Sequence, residues 1–553
     1  MAQASADGTG LAPQNESATS QMMNLNVPYI EPHQLKAWVH DSEEIALLDV
    51  REHGQYGEDH LFFAVSLPYS MLEPEAFRLV PRLRTRIVLY GDLATQQVVE
   101  ASARALQRLG YIDVHILHGG IEAWKKAGYE TFSGVNLPSK TFGELAEHAY
   151  QTPRMSADEL HQLLNDDAQD VIVLDGRPAN EYCKMNIPGS ICCPNGELSL
   201  RIGELVPDPQ TTIVVNCAGR TRSIIGAQTL INLGIPNKVF ALENGTQGWY
   251  LADLPLEHGS SRLYPQEIPL DSIAVQRARA AQLAERFDLQ KVDSKQVEQW
   301  IAQHDWTVFL CDVRTEEEHR QGDLPPIVRH APGGQLIQAT DQYLGVRGAR
   351  VVLCDTDGIR APVVASWLKQ LGWEVYLLEH PETLRSDLNA PGYRPVLQHS
   401  KILPREQLAA YLADNSDACV LDTRSSSEFQ KTSLADSTWV IRPTLSDNVR
   451  GRLDKPLILI GDDNTVLELI AQDLESKGAV DIRLCLLDSG HLASSGLPLN
   501  SGPALLPDEM RIDYLFFVHD RHDGNKDAAR KYLEWETSLI TQIDDQERST
   551  FSI

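Results

Sequence analysis

The chain has 553 residues and a formal net charge of −28, with 42% hydrophobic and 23% charged residues. This composition is that of a globular protein with room for about four domains, and it excludes a disordered or fibrous chain. The negative charge also argues against nucleic acid or an anionic membrane as a partner, because both need clustered Lys and Arg.

Cysteine content and the N-terminus point to one compartment. Eight cysteines are too few for a disulfide scaffold in so long a chain, and residues 1–182 contain none, which suits a reducing environment. Residues 1–24 are small and polar without the apolar core of a signal peptide, so we expect a flexible tail there. No apolar run reaches transmembrane length. We therefore expect a cytoplasmic protein.

A short pattern, an apolar strand that stops at an Asp-x-Arg turn, occurs four times along the chain. The copies are LLDVR, VLDGR, LCDVR and VLDTR, with Asp49, Asp175, Asp312 and Asp422 as their aspartates. Each copy continues with a second apolar strand, a short loop, an amphipathic helix and a third strand. Repetition at domain-sized intervals indicates tandem domains, because solenoid repeats have periods of about 20–50 residues.

Strand, helix and strand in alternation predict an α/β fold in which a parallel sheet is flanked by helices. We expect four such modules and a helical C-terminal extension that packs on the fourth. The predicted segments are the tail (1–24), module 1 (25–135), module 2 (153–258), a linker with a helix (259–290), module 3 (291–385), module 4 (400–500) and the extension (501–553).

One loop in module 2 has reactive side chains. The strand at 212–216 is followed by Cys217, Ala218, Gly219, Arg220, Thr221, Arg222 and Ser223. Chemistry in parallel sheets lies beyond the carboxyl ends of the strands. The inward N–H groups of such a loop, the dipole of the following helix and two arginines all favour a thiolate over a thiol. We therefore predict that Cys217 is a nucleophile and that residues 218–223 bind its substrate.

Several motifs accompany this loop. Module 2 has the Asp-x-Arg strand end, an Ile-Pro-Gly stretch at 187–189, a cysteine that opens a Gly- and Arg-containing loop, and Gly-Trp at 248–249. Module 1 keeps HGGIEAW at 118–124. With these motifs the chain resembles the tandem rhodanese-homology sulfurtransferases, with four copies that cover nearly everything between residues 25 and 500.

The resemblance implies a ping-pong mechanism without a cofactor or a metal. Cys217 would attack the outer sulfur of a small anionic donor, such as thiosulfate or a mercapto acid. The persulfide would then pass to cyanide or to a thiol of a small molecule or a protein. Arg220 and Arg222 would hold the donor, while Asp175 and Arg177 would brace the strand ends as an ion pair. The loop departs from known thiosulfate and mercaptopyruvate enzymes at its third and fourth places, which leaves the donor open.

Two other functions share features of this loop. Cysteine phosphatases use a similar cradle but need an arginine six positions after the cysteine, whereas Arg222 lies five positions after Cys217 and Ser223 takes the sixth. The second alternative is a non-catalytic scaffold that docks enzymes of sulfur metabolism, with Cys217 as a buried thiol. Two arginines in a Gly-containing loop argue against an inert cysteine.

Modules 1 and 4 have no cysteine in the corresponding loops, at 90–92 and 460–463, so we expect structural or partner-binding roles there. Module 3 is ambiguous because its strand ends in Cys354. Counting from the Leu-Gly pairs that end the helices aligns Cys217 with Asp355, whereas counting from the start of the strand aligns it with Cys354. We favour the first count, so Cys354 should point away from the cradle.

Two smaller features remain. Cys192 and Cys193 could resolve a persulfide on Cys217 as a disulfide, or they could be half-buried strand residues. In the extension, His519, Asp520, His522 and Asp523 are of metal-ligating types, and we interpret them as a solvated loop.

Overall fold

The computed structural model describes residues 27–322, 324–500, 506–519 and 525–553. Within these residues, four successive segments each form a five-stranded parallel sheet with helices on both faces. The predicted α/β class is therefore confirmed.

Modules 1 and 2 share one strand order. Sheet 1 runs β1-β5-β4-β2-β3, and its strands are β1 (Tyr29–Ile30), β2 (Ile45–Asp49), β3 (Val65–Ser66), β4 (Arg86–Tyr90) and β5 (Val114–Leu117). Its helices are α1 (Pro32–Val39), α2 (His53–Glu58), α3 (Leu72–Leu79), α4 (Gln96–Arg108) and α5 (Gly120–Lys126), and α6 (Leu137–Tyr150) leads to module 2. Sheet 2 runs β6-β10-β9-β7-β8, with β6 (Arg154–Met155), β7 (Val171–Asp175), β8 (Ile191–Cys192), β9 (Thr212–Asn216) and β10 (Val239–Leu242). Its helices are α7 (Ala157–Leu164), α8 (Ala179–Lys184), α9 (Asn195–Leu205), α10 (Thr221–Asn232) and α11 (Gly245–Leu251), followed by α12 (Leu270–Arg286).

Modules 3 and 4 repeat the arrangement. Sheet 3 runs β11-β15-β14-β12-β13, with β11 (Gln290–Val292), β12 (Val308–Asp312), β13 (Arg329–His330), β14 (Arg350–Cys354) and β15 (Glu374–Leu378). Its helices are α13 (Ser294–Gln303), α14 (Glu316–Arg320), α15 (Gly333–Gln338) and α16 (Arg360–Gln370). Sheet 4 runs β16-β21-β20-β17-β19, while β18 (Ser433–Leu434) pairs with β22 (Leu499–Asn500) separately; the other strands are β16 (Ser400–Ile402), β17 (Cys419–Asp422), β19 (Thr438–Trp439), β20 (Leu457–Gly461) and β21 (Ile482–Leu486). Its helices are α17 (Leu408–Asp414), α18 (Ser426–Lys431), α19 (Leu445–Asn448), α20 (Asn464–Ser476) and α21 (Ser489–Ala493). The extension contains α22 (Phe516–His519), α23 (Lys526–Gln542) and α24 (Asp545–Arg548).

The central strands are nearly continuous apolar runs because helices cover both of their faces. In β9, for example, Ile213, Val214 and Val215 are all fully buried. Parallel pairing brings the carboxyl ends of β7 and β9 together, with Asp175 opposite Asn216. The loop that begins at Cys217 therefore leaves the sheet beside the Asp-x-Arg turn.

The modules also pack on one another. The indole of Trp367, from module 3, is buried and donates a hydrogen bond to Thr229 Oγ1 of module 2 at 2.8 Å. Modules 1 and 4 are joined by a buried ion pair of Arg442 with Glu73 at 2.7 Å. Packing of this kind brings module 3 close to the sheet edge that carries Cys217.

The expectation that the extension packs on module 4 is wrong for its long helix. Leu506 and Ile512 do contact an apolar cluster of module 4. Helix α23, however, packs along α6, and its Leu539 is fully buried in a core cluster of module 1. The 3–4 spacing of apolar residues in α23 predicts a helix, but amphipathicity alone does not say which surface receives its apolar face.

We expect Leu539→Ala to loosen α23, because removing a fully buried leucine side chain costs about 2–5 kcal/mol. Limited proteolysis with mass spectrometry of the fragments should then show earlier cleavage within 526–542 than in the wild type. Thr541→Ala, an exposed position on the same helix, is the matched control. Equal cleavage rates in all three proteins would show that this contact does not hold the helix.

Candidate active site

Cys217 lies at the end of β9 and is only 2% exposed. Its carbonyl oxygen accepts hydrogen bonds from the backbone N–H of Thr246 at 2.7 Å and from Thr246 Oγ1 at 2.9 Å. On the other side, Asn216 Nδ2 donates to Asp175 Oδ2 at 2.8 Å. The backbone at the cysteine is thus held from both neighbouring strand ends.

Asp175 and Arg177 form the ion pair that the resemblance implied. Arg177 Nε and Nη2 donate to the two carboxylate oxygens of Asp175 at 2.9 and 2.7 Å, and both side chains are buried. Arg177 Nη2 also donates to the carbonyl of Met185 at 2.7 Å. Because the guanidinium has these acceptors, its main effect is to hold the turn beside the Cys217 loop.

Arg220 is anchored to the linker helix α6. Its Nε and Nη2 donate to Glu144 at 2.6 and 2.8 Å, and Nη2 also donates to Glu147 at 2.5 Å. Burial raises the pKa of Glu144 to about 7, although Arg220 opposes this shift. The positive charge of Arg220 is therefore balanced by carboxylates of the protein. The sequence analysis did not predict this pairing.

Arg222 pairs with Glu181 of α8, through Nη1 at 2.8 Å and Nη2 at 2.9 Å. Burial lowers the pKa of Arg222, whereas Glu181 and, to a smaller extent, Cys217 raise it. The net effect is a raised pKa. Glu181 therefore holds the guanidinium of Arg222 beside the Cys217 loop.

A cavity of about 470 Å³ opens over the loop. Module 2 supplies one wall, and the others come from α6, from three glutamines of module 3 and from α23. Charged side chains of the lining are five cations and two carboxylates: Lys140, Arg177, Lys184, Arg220, Arg222, Glu181 and Glu536. In a chain of net charge −28, this lining is locally positive.

Glu536 of α23 connects the extension to the reactive loop. It is 1% exposed, and its Oε1 accepts hydrogen bonds from Thr221 Oγ1 at 3.0 Å and from Lys140 Nζ at 3.1 Å. A Cβ at Gly219 would lie 3.2 Å from Glu536 Oε2, so the helix leaves little room for a larger residue there. Neither Glu536 nor Lys140 carries a sequence signal, because both lie far from the loop along the chain.

The strand pairing in module 3 agrees with the alignment that counts from the Leu-Gly pairs at the helix ends. Cys354 lies opposite Asp312 as Asn216 lies opposite Asp175, so Asp355 takes the place of Cys217. The Asp355 carboxylate accepts backbone N–H groups of Gly358, Ile359 and Ala361 at 3.0, 3.0 and 2.8 Å, and thereby fills its own cradle.

The corresponding amides of module 2 belong to Arg220, Thr221 and Ser223. Among the described residues, these N–H groups donate to no protein acceptor. An anion bound at the Cys217 sulfur would find there the donors that Asp355 uses in module 3.

Three buried cysteines at these strand ends, Cys354, Cys192 and Cys193, are poorly suited to reaction. Cys354 is fully buried, and burial raises the pKa of its thiol well above the usual value. Burial likewise raises the pKa of Cys192 to about 12 and that of Cys193 well above normal. These two cysteines fit the structural alternative better than a resolving role.

Modules 1 and 4 have Gly91 and Gly461 at the position of Cys217, since Tyr90 and Ile460 lie opposite the Asp-x-Arg aspartates. Neither loop can carry a sulfur atom. The group His519, Asp520, His522 and Asp523 lies outside the side chains that the structure describes. Elsewhere in the described chain, no cluster of three or more metal-ligating side chains occurs, and no helix is long and apolar enough to cross a bilayer.

Comparison with known proteins places this geometry in context. The rhodanese-like domain matches residues 31–127 and 156–252. The crystal structure of thiosulfate sulfurtransferase from Pseudomonas aeruginosa is similar over 95% of this chain and 100% of its own, with a TM-score of 0.86 and 37% identity. Probable adenylyltransferase/sulfurtransferase MoeZ of Mycobacterium tuberculosis is 34% identical over 98 residues, which are 18% of this chain and 24% of that protein.

We expect Cys354→Ser to keep near wild-type sulfur transfer. The Cys354 thiol is buried, and the Asp355 carboxylate already binds the loop amides of module 3. In the native protein, iodoacetamide should label Cys354 far more slowly than Cys217, and unfolding in urea should remove this difference. Peptide mass spectrometry measures both rates. Rapid labelling of Cys354 in the folded protein would contradict the register.

Proposed function

The chain belongs to the rhodanese-like family, and on that basis we propose that it is a sulfurtransferase that carries a sulfane sulfur on Cys217. One observation supports this most strongly. Among the four equivalent strand ends, module 2 combines a thiol with loop amides that donate to no protein acceptor within the described residues, whereas modules 1, 3 and 4 have Gly91, Asp355 and Gly461 there.

The proposed first half-reaction transfers one sulfur atom to the enzyme. The Cys217 thiolate attacks the outer sulfur of a small anionic donor such as thiosulfate or a mercapto acid. A bond forms between the two sulfurs, and the bond from the outer sulfur to the rest of the donor breaks. With thiosulfate, sulfite leaves with that electron pair; with a mercaptopyruvate-like acid, the carbon fragment leaves with it as an enolate. In both cases Cys217 becomes a persulfide anion. The loop amides and the N-terminus of α10 stabilise its charge.

In the second half-reaction, cyanide or a thiolate of a small molecule or a protein attacks the terminal sulfur of the persulfide. The S–S bond breaks, its electron pair returns to Cys217, and thiocyanate or a new persulfide leaves. No redox cofactor or metal takes part, because each step exchanges one nucleophile at sulfur for another.

The positive lining of the cavity supports an anionic donor. Arg222 and Cys217 line the same cavity, and Lys184 at the cavity is exposed, with no ion pair among the described residues. Arg220 contributes mainly by fixing the loop to α6 through Glu144. We therefore assign donor attraction to Arg222 and the loop amides, and loop positioning to Arg220.

The neighbouring modules have a role in this proposal. Gln335 and Gln338 of module 3 and Tyr532 of α23 lie over the loop and give the cavity walls that a single module does not supply. Enclosure reduces the access of water, so that electrostatic interactions inside the cavity are strengthened and hydrolysis of a reactive sulfur is slowed.

We expect Cys217→Ser to abolish thiocyanate formation from thiosulfate and cyanide, because a hydroxyl oxygen cannot carry the sulfane sulfur. Cys183→Ser, which changes an exposed cysteine of the same module, should retain wild-type activity. Colorimetric detection of thiocyanate measures both. Wild-type turnover by the Cys217→Ser variant would refute the proposed nucleophile.

We expect Arg222→Met to lower kcat/KM for thiosulfate by about tenfold or more, since one charge-assisted contact to the anion is lost. Arg262→Met, which removes the surface pair of Arg262 with Glu257, is the matched control and should leave kcat/KM unchanged. The double variant Arg222→Met/Glu181→Gln separates two causes. Full recovery in that variant would mean that the loss came from the negative charge of Glu181, which Arg222 no longer balances, and it would remove Arg222 from donor binding.

A further inference from the structure

A second large cavity lies between modules 1 and 3 and shares no lining residue with the cavity of Cys217. Its volume is about 650 Å³, and much of its wall is apolar, with Trp306, Phe309, Ile327 and Tyr343 among the lining residues. Cavities of roughly 300–1,000 Å³ with mainly apolar walls and a few polar groups are typical of small-molecule sites.

The charges on this wall have one sign. The lining contains no Asp or Glu. It contains four arginines, which are Arg78, Arg82, Arg84 and Arg329. In a chain of net charge −28, a wall of this composition is a local reversal of the overall charge. Clefts lined by one sign of charge with low-dielectric walls concentrate the opposite charge.

Two of these arginines are already paired with carboxylates behind the wall. Arg78 binds Glu75 and Arg82 binds Glu44, each at 2.5 Å. Arg84 and Arg329, in contrast, form no ion pair with any residue that the structure describes. The cavity therefore keeps positive charge that the protein does not balance.

Arg329 is the more informative of the two, because it is half-buried. Its Nη2 donates to the carbonyl of Phe77 at 2.9 Å, and its Nη1 donates to the carbonyl of Arg78. These acceptors are neutral, so they satisfy hydrogen bonds without cancelling the charge. Burial, together with nearby Arg78, lowers the pKa of Arg329. A cation in this setting is stabilised when an anion approaches it.

Hydrogen bonds between modules 1 and 3 join the walls of this cavity without a ligand. Glu44 of module 1 accepts hydrogen bonds from the backbone N–H and the Oγ1 of Thr307 in module 3, at 2.5 and 3.0 Å. Thr85 Oγ1 lies 3.2 Å from Thr307 Oγ1, which adds a second contact between the modules. A cavity held in this way needs little ordering when a ligand binds.

We propose that this cavity binds a small-molecule anion that has an apolar, aromatic or aliphatic body and a carboxylate or sulfonate group. The anionic group meets the positive charge of Arg329 and Arg84, and the body lies against the apolar wall that includes Trp306 and Ile327. This binding site is separate from Cys217, and it does not depend on sulfur transfer.

The test uses the full-length protein and 8-anilinonaphthalene-1-sulfonate, an aromatic anion whose fluorescence increases in an apolar site. A titration should saturate with one site per chain. The uncharged analogue N-phenyl-1-naphthylamine should bind about tenfold more weakly, because it lacks the charge-assisted contact. Equal affinity for the two probes would overturn the proposal, as would the absence of a saturable site.

Variants locate the site. Leu83 lines the cavity and is 39% exposed, so Leu83→Glu adds a carboxylate there with little cost to folding. It should weaken the anion by about tenfold, whereas Leu83→Gln, of similar size and uncharged, should not. Val480→Glu adds the same charge at a 64% exposed position of module 4 and should have no effect. Arg329→Met should also weaken binding, with circular dichroism to check the fold. Unchanged affinity in Leu83→Glu would place the probe elsewhere and overturn the proposal.

Discussion

In every module, the first central strand ends in a buried ion pair between an aspartate and the arginine two residues later. The closest N–O distances are 2.7, 2.7, 2.8 and 2.6 Å for the pairs of Asp49, Asp175, Asp312 and Asp422. The same carboxylate also accepts the backbone N–H of its arginine, so it fixes the turn as well as the side chain. Removing one partner of such a pair leaves a buried charge uncompensated and lowers the free energy of unfolding by about 3–5 kcal/mol. In module 2 this turn also binds Asn216, and thereby sets where the Cys217 loop leaves the sheet.

The four modules share this strand end but have different residues at the position of Cys217. Cys217 provides a sulfur in module 2, while Asp355 in module 3 places a carboxylate on the amides that would otherwise face a ligand. Gly91 and Gly461 provide no functional group. Two of the other modules nevertheless shape cavities: module 3 and the extension contribute walls of the Cys217 cavity, and the contact of modules 1 and 3 creates a second cavity.

Much of the fold follows from the sequence, because its signals are local. Apolar strands of four or five residues, alternating with amphipathic helices, indicate parallel sheets. The glycine that ends each helix is a better reference for alignment than the start of a strand, which explains why the Leu-Gly count placed Asp355 correctly. Cys217 was recognisable because strand end, glycine loop and helix start are consecutive in the chain.

The remaining parts of the site depend on distant contacts. Glu144 and Glu147 pair with Arg220 from the linker helix, and Glu536 reaches Thr221 from the C-terminal helix. The prediction that Arg220 holds the donor did not include these carboxylates, because local spacing does not show which acidic residues contact an arginine. The extension was predicted to pack on module 4, whereas the apolar face of α23 is buried mainly against α6 and module 1.

Locating the transferred sulfur atom shows directly whether Cys217 carries it. The protein would be incubated with thiosulfate, alkylated with iodoacetamide, digested and examined by peptide mass spectrometry. We expect one additional sulfur atom on the peptide that contains Cys217, and its removal by dithiothreitol. Sulfur found on Cys354 or another cysteine, with Cys217 unmodified, would contradict it.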